Sequence, residues 1–319
     1  MSRLVPTNKI DAVQALGAET RIVGQSQDDA QNEVARLPAG VFNVVTGAAA
    51  PIAQRFCGDS RVRVVSFTGS TEIGRLIAGQ CAPTVKRLVM ELGGNAPLIV
   101  FDDANIDRAV EIAIDAKFAT SGQDCLAANR IFVQRRLYRE FCVAFARRIA
   151  TLKVGGGLEE GVDIGPLMHE RAVSRTKERI ADALTCGARR LIGEAPVPGP
   201  LFVPPTLLID APDDALVMRE ETFAPVAAVA PFDTEEEVVR RANATEYGLV
   251  AYVVTRDGAR MLRMTRALAF GMVAVNRVKI TGAPIPFGGV KQSGMGREGS
   301  RHGLEAFTDL KYACLDLAS

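Results

Sequence analysis

Apolar residues recur along this chain in two rhythms, short β-rich runs and longer stretches that place apolar side chains on one helical face. VFNVVTG (Val41 to Gly47) and VRVVSFTG (Val62 to Gly69) are β-rich runs closed by glycine, with helical pattern between and after them. Strand, helix, strand in that order predicts parallel α/β architecture. Ser70, Thr71 and Glu72 then open a helix with Ile73, Leu76 and Ile77 on one face, and a serine ahead of a first-turn acid is an N-terminal signal. KRLVMELGG and PLIVFDD read as strands, Ala104 to Phe118 as an amphipathic helix, RIFVQ as a strand and Leu137 to Leu152 as a helix. Helices follow over Glu170 to Leu184, Glu235 to Ala242 and Ala259 to Leu268, with strands around Leu191 and Leu207 and in LVAYVV and MVAVN. Gly303 to Leu315 alternates as an edge strand does, and an unpaired edge invites another chain, so an oligomer is expected. Residues 1 to 36 are polar and weakly periodic, and no repeat or low-complexity run interrupts the series.

Composition narrows the function. A chain of 319 residues is long enough for two cores. With a net charge of +1 no long-range field recruits nucleic acid or an anionic membrane, so a small-molecule role is expected. The longest apolar runs fall short of the roughly 18 residues of a membrane span, and MSRLVPTNKID lacks a signal-peptide core, which makes the cytoplasm the expected compartment. The 6 cysteines show no CxxC pairing, so neither a disulfide framework nor a metal site is expected. Only 2 histidines exist, His169 and His302; both read as surface residues.

The candidate chemistry lies between Met90 and Arg130. Cys125, in SGQDCLAANR, sits on a turn between helical and strand pattern, and Glu91, in MELGGN, is a carboxylate that could activate water against it. Taken alone, each residue reads as structural. Four further segments change that: SFTGSTEIG (Ser66 to Gly74), EETFAPV (Glu220 to Val226), Asn276 in GMVAVN, and PFGGVKQSGMGREGS (Pro286 to Ser300). With these in this order, from about Leu37 to Leu315, the chain resembles the aldehyde dehydrogenase superfamily and within it the succinate-semialdehyde dehydrogenase branch.

The resemblance implies an α/β fold with a truncated dinucleotide-binding part over 1–92, an α/β catalytic domain over 93–300 and an oligomerisation tail over 301–319. It implies NAD(P)-dependent oxidation of a small aldehyde, with succinate semialdehyde the first candidate. Cys125 would attack the aldehyde, hydride would pass to NAD or NADP, and Glu91 would deprotonate the water that hydrolyses the thioester. Gly69 and Ser70 match dinucleotide phosphate contacts, as a helix N-terminus suits a phosphate. Leu92 is a further cofactor contact. Glu221 matches the ribose clamp, Phe223 restrains the nicotinamide ring, and Thr281 stands where relatives place a serine on the substrate's far carboxylate. The tail resembles one that pairs with a second copy, which implies a homo-oligomer.

Departures from the family pattern are local. Ala224 replaces the usual glycine after the phenylalanine, Ala119 an arginine expected for the substrate carboxylate, and Ala127 a second cysteine after the nucleophile. Arg277 and Lys279 are alternative cations, or an exposed loop. The Cys125 N–H can supply one oxyanion donor; relatives take the other from a tryptophan-asparagine-phenylalanine-proline segment, and this chain contains no tryptophan. The expectation is a chain that starts after that segment, and losing one such donor costs about 2.7–4 kcal/mol of barrier. Gly294 to Gly299 fits GxGxxG but follows no β-run, so it reads as a loop lining the catalytic domain. Two other readings stand beside the enzyme: a catalytically impaired fragment that assembles with a partner subunit, and a cofactor-independent thiol esterase using Cys125 and Glu91.

Overall fold

The computed structural model describes residues 40–282 and 284–316. The chain begins with α1 (Ala49–Gly58), β1 (Val64–Thr68), α2 (Thr71–Cys81) and β2 (Arg87–Glu91). Strands β1 and β2 run parallel, as the strand-helix-strand rhythm predicts. Ser70 caps α2, its hydroxyl oxygen accepting from the Ile73 N–H, and Glu72 sits in the first turn. Cys57, Ile77, Cys81, Met90 and Leu92 form the small core between these helices and strands.

After β2 the chain crosses at Leu92 to Ala96 into a seven-stranded sheet. Its strands are β3 (Pro97–Val100), β4 (Arg130–Gln134), β5 (Arg189–Ile192), β6 (Thr206–Ile209), β7 (Val226–Phe232), β8 (Val250–Val254) and β9 (Met272–Val275), in spatial order β5-β6-β7-β4-β3-β8-β9. All neighbours are parallel except β5 and β6. Helices α3 (Ile106–Phe118), α4 (Arg135–Ile149), α5 (Glu170–Thr185), α6 (Leu216–Arg219), α7 (Glu235–Asn243) and α8 (Gly258–Ala267) connect them. Successive strand residues point to opposite faces: Leu98, Ile131 and Val229 pack with α3 and α4, whereas Ile99, Phe132 and Ala228 pack with α5, α7 and α8. Both faces are covered, which is why β3, β4 and β8 read as continuous apolar runs.

Three expectations need correction. Val41 to Gly47 forms no strand: it has no β partner among the described residues, and Val41, Phe42, Val44 and Val45 are exposed. Gly303 to Leu315 falls in a 3-10 turn over Arg301–Phe307 and a segment without regular structure that has no sheet neighbour among the described residues, because alternation alone supplies no ladder partner. Residues beyond Asp316, and the weakly periodic residues before Gly40, lie outside the described residues. Gly294 to Gly299, read as a loop, begins with a short strand, β10 (Gly294–Met295), that pairs antiparallel with β2. Gly294 is required there, since a Cβ would stand 1.8 Å from the Met90 carbonyl oxygen. No described helix is long and apolar enough to cross a membrane.

Candidate active site

A cavity of about 640 Å³ opens where the C-terminal ends of β1 and β2 face the residues that precede β3, β4 and β7. Its walls include Gly69, Ser70, Glu91, Leu92, Cys125, Glu221 and Phe223. Segments far apart in sequence thus converge on one space, and each does so for a local reason. Glu91 is the last residue of β2, and Leu92 is fixed by its N–H donating to the Ser293 carbonyl at 3.0 Å. The following Gly93 and Gly94 allow close approach: a Cβ on Gly94 would lie 2.2 Å from the Cys125 carbonyl oxygen, and one on Gly93 2.6 Å from Glu221 Oε2. The Gly94 N–H donates to Glu221 Oε1 at 2.9 Å.

The nucleophile turn is held under strain. Thr120, Ser121 and Gly122 all have positive φ, and for the two side-chain-bearing residues that costs on the order of 1–3 kcal/mol each. Ser121 is anchored by accepting from the Gly165 N–H at 2.8 Å, and Gly122 fits against the Ala224 carbonyl, which a Cβ would meet at 2.3 Å. Asp124 Oδ1 accepts from the Leu126 N–H, while the Cys125 N–H donates to no group among the described residues. That amide is free to serve an oxyanion.

Electrostatics set the resting protonation. Burial pushes the Cys125 thiol up to about 12, and the carboxylates of Asp124, Glu221 and Glu91 add to the effect. Burial, with Glu298 beside it and Arg297 opposing, pushes Glu91 up to about 8. Neither Glu91 oxygen has a hydrogen-bond partner among the described residues. Burial also raises Glu221, against the Gly94 N–H, Lys117 and Arg179, which favour its charge. At rest the site holds a neutral thiol and a neutral acid, so a thiolate needs a cation or proton acceptor brought into the cavity.

A dinucleotide fits the donor set. The N-terminus of α2 meets the cavity at Gly69 and Ser70, with the Ser70 hydroxyl hydrogen available; the Ile73 N–H is given to Ser70 Oγ and the Gly69 N–H to the Glu91 carbonyl. Gly69 therefore offers close approach, not a donor. Phe223 is 36% exposed and at positive φ, which sets it apart from core packing.

Thr281 lies outside the cavity on an exposed loop. Arg277 and Lys279 share that loop, where the Arg277 guanidinium donates to the Lys279 carbonyl at 2.9 Å. Cations that do line the cavity, Arg175 and Arg179 of α5, have no counterpart in the sequence reading. His169, read as a surface residue, is exposed, caps α5 through Nδ1 and borders the cavity. Spacing could have found the arginines: Arg175 and Arg179 lie one helical turn apart on the face that also carries Ala172. All 6 cysteines are free.

The family model for the aldehyde dehydrogenase family matches residues 30–313. The non-phosphorylating aspartate-semialdehyde dehydrogenase of Halomonas elongata is 51% identical over 284 residues, covering 89% of this chain and 58% of the relative. The NADP(+) succinate-semialdehyde dehydrogenase of Escherichia coli is 48% identical over 284 residues, covering 89% and 59%. A crystal structure of succinate-semialdehyde dehydrogenase from Burkholderia pseudomallei superposes with a TM-score of 0.86 at 48% identity, covering 89% of this chain and 59% of that one. The chain thus spans less than two thirds of the length of these relatives.

Proposed function

This chain belongs to the aldehyde dehydrogenase family, and from that premise we propose that it takes part in NAD- or NADP-dependent oxidation of a small aldehyde, succinate semialdehyde first among them. The observation that carries the reading is the single cavity shared by Cys125, Glu91, Glu221, Phe223 and the N-terminus of α2. The aspartate- and succinate-semialdehyde relatives support a substrate with an acidic far end.

In this reading the Cys125 sulfur adds to the aldehyde carbon, and the Cys125 N–H receives the developing oxyanion. Ser70 at the N-terminus of α2 would hold the dinucleotide phosphates, Leu92 would pack against the cofactor, Glu221 would accept hydrogen bonds from the ribose hydroxyls and Phe223 would restrain the ring. Nicotinamide, when bound, would supply the hydride acceptor, and Cys125 would then carry the acyl group as a thioester. Glu91, once deprotonated, takes a proton from the water that hydrolyses it. Ala119 carries no charge, Thr281 stands on an exposed loop, and Arg179 is paired with Glu220, so Arg175 is a further cavity cation available to an anionic group. The exposed Leu310, Tyr312 and Leu315 support pairing of the tail with a second copy of the chain.

The test is formation of reduced nicotinamide by the purified chain with succinate semialdehyde. Turnover that vanishes in Cys125→Ala is expected. Hydrolysis of an activated ester without dinucleotide, with no reduction of NAD or NADP, would instead favour a thiol esterase, and neither reaction from a folded chain would favour a non-catalytic partner.

A further inference from the structure

Two buried basic side chains flank Glu221 without touching it, and burial pushes Lys117 down to about 7 against the pull of Glu221 and Asp124. Lys117 of α3 is fully buried, and its Nζ donates to Asn129 Oδ1 at 2.7 Å. Asn129 Nδ2 donates in turn to the Gly94 carbonyl at 3.4 Å, and the Gly94 N–H donates to Glu221 Oε1 at 2.9 Å. The relay runs from ammonium to amide side chain to peptide unit to carboxylate. Its middle member is the glycine packed on the Cys125 carbonyl.

On the opposite flank Arg179 of α5 is 7% exposed and lines the cavity. Its Nη2 lies 2.8 Å from Glu220 Oε2, and its Nε has no partner among the described residues. A buried cation costs several kcal/mol of desolvation, and a methionine would fill the Lys117 space without that cost. Both are held by specific partners, Lys117 by Asn129 and Arg179 by Glu220. Glu221 is the acid that faces them, and Asp124 is the other acid near it.

We propose that Lys117 and Arg179 are positioning residues for Glu221: Lys117 fixes the Gly94 peptide that receives the carboxylate, and Arg179 fixes the preceding residue, Glu220. Both act through another group. The consequence is that Glu221 keeps one oxygen on the Gly94 N–H and presents the other beside Gly93, where it accepts ribose hydroxyls. This rests on the ribose-clamp reading of Glu221, and the experiment separates the two.

Calorimetric titration of the full chain with NAD and with NADP, for the unaltered protein, Arg179→Gln, Arg179→Lys and Lys117→Met, reads the effect directly. Loss of a hydrogen bond that orients a charged group weakens binding about tenfold or more, so Arg179→Gln and Lys117→Met are expected to bind that much more weakly, with KM for the dinucleotide rising more than kcat falls. Arg179→Lys, which keeps the charge, is expected to recover most of the affinity. Binding by both neutral variants within about twofold of the unaltered chain overturns the positioning role alone. Equal weakening in Arg179→Lys and Arg179→Gln also overturns it, because a packing effect is not rescued by charge. If Lys117→Met does not fold, as circular dichroism reveals, the two Arg179 variants decide. An unaltered chain that binds neither dinucleotide overturns the ribose reading and the proposal with it.

Discussion

Glu91→Gln is the perturbation that most directly interrogates the site, because it needs no substrate. The Glu91 carboxyl is 4% exposed, neither oxygen is hydrogen-bonded, and burial with Glu298 nearby pushes it from 4.5 to about 8. A folded chain therefore keeps a proton that the unfolded chain releases. The stability tied to that proton is complete below pH 4.5 and is lost as pH rises to about 8, at about 1.4 kcal/mol per pH unit. Over that window the upper bound is about 5 kcal/mol, and relaxation with water entry brings it to roughly 2–4 kcal/mol. Glutamine has no such proton, so its stability should fall less with pH. Urea unfolding of both proteins at about pH 5 and about pH 9 measures the difference. The unaltered chain should lose roughly 2–4 kcal/mol more than the variant across that range. Parallel losses would refute the reasoning, since they would mean that Glu91 titrates in the folded chain as it does in water.

Three further outcomes follow from the same geometry. Gly94→Ala forces a Cβ to within 2.2 Å of the Cys125 carbonyl oxygen, so the nucleophile turn must move by about 1 Å, and kcat/KM for aldehyde oxidation should drop by about 10²; an unchanged value would mean that the turn tolerates the shift. Alkylation of Cys125 by iodoacetamide should accelerate steadily with pH and reach no plateau below about pH 10, because burial and three carboxylates hold the thiol near 12; a plateau near neutrality contradicts that. Glu298→Gln removes a neighbouring negative charge that raises Glu91, so the limb of thioester hydrolysis governed by Glu91 should move to lower pH, and a stationary limb argues against Glu91 as the base.

Much of the fold is legible in apolar rhythm, for a physical reason: the inner strands β3, β4, β6, β7 and β8 are buried on both faces, whereas the edge strands β5 and β9 are partly exposed. The pattern predicts α3 from Ala104, and it begins at Ile106; it predicts α5 over Glu170 to Leu184, and it ends at Thr185. Strand β7 was missed, because VAAVAPF is rich in alanine and ends in a proline-phenylalanine pair, a weak β signal that burial between β6 and β4 overrides. Val41 to Gly47 and Gly303 to Leu315 failed the opposite way, with the right composition and no neighbour to pair with. At the site, short motifs located the residues that converge, since Gly93, Gly94 and Cys125 meet through turns only a few residues long. Lys117, Arg175 and Arg179 carry no motif. Lys117 left one trace, a lysine three positions after Ile114 and seven after Val110 on an apolar face, which marks a cation with buried work to do.

Ser293 ties the last tenth of the chain to the first third: its hydroxyl donates to the Gly93 carbonyl across 200 positions and accepts from the Gly248 N–H. A nascent polypeptide leaving the ribosome exposes Glu91 and Cys125 long before Ser293 exists. Until it arrives, β2 lacks its antiparallel neighbour β10 and the Gly93 carbonyl lacks its hydroxyl donor. The reactive pocket is thus closed by a contact 200 positions away from Gly93, so its completion is a late, long-range event in folding.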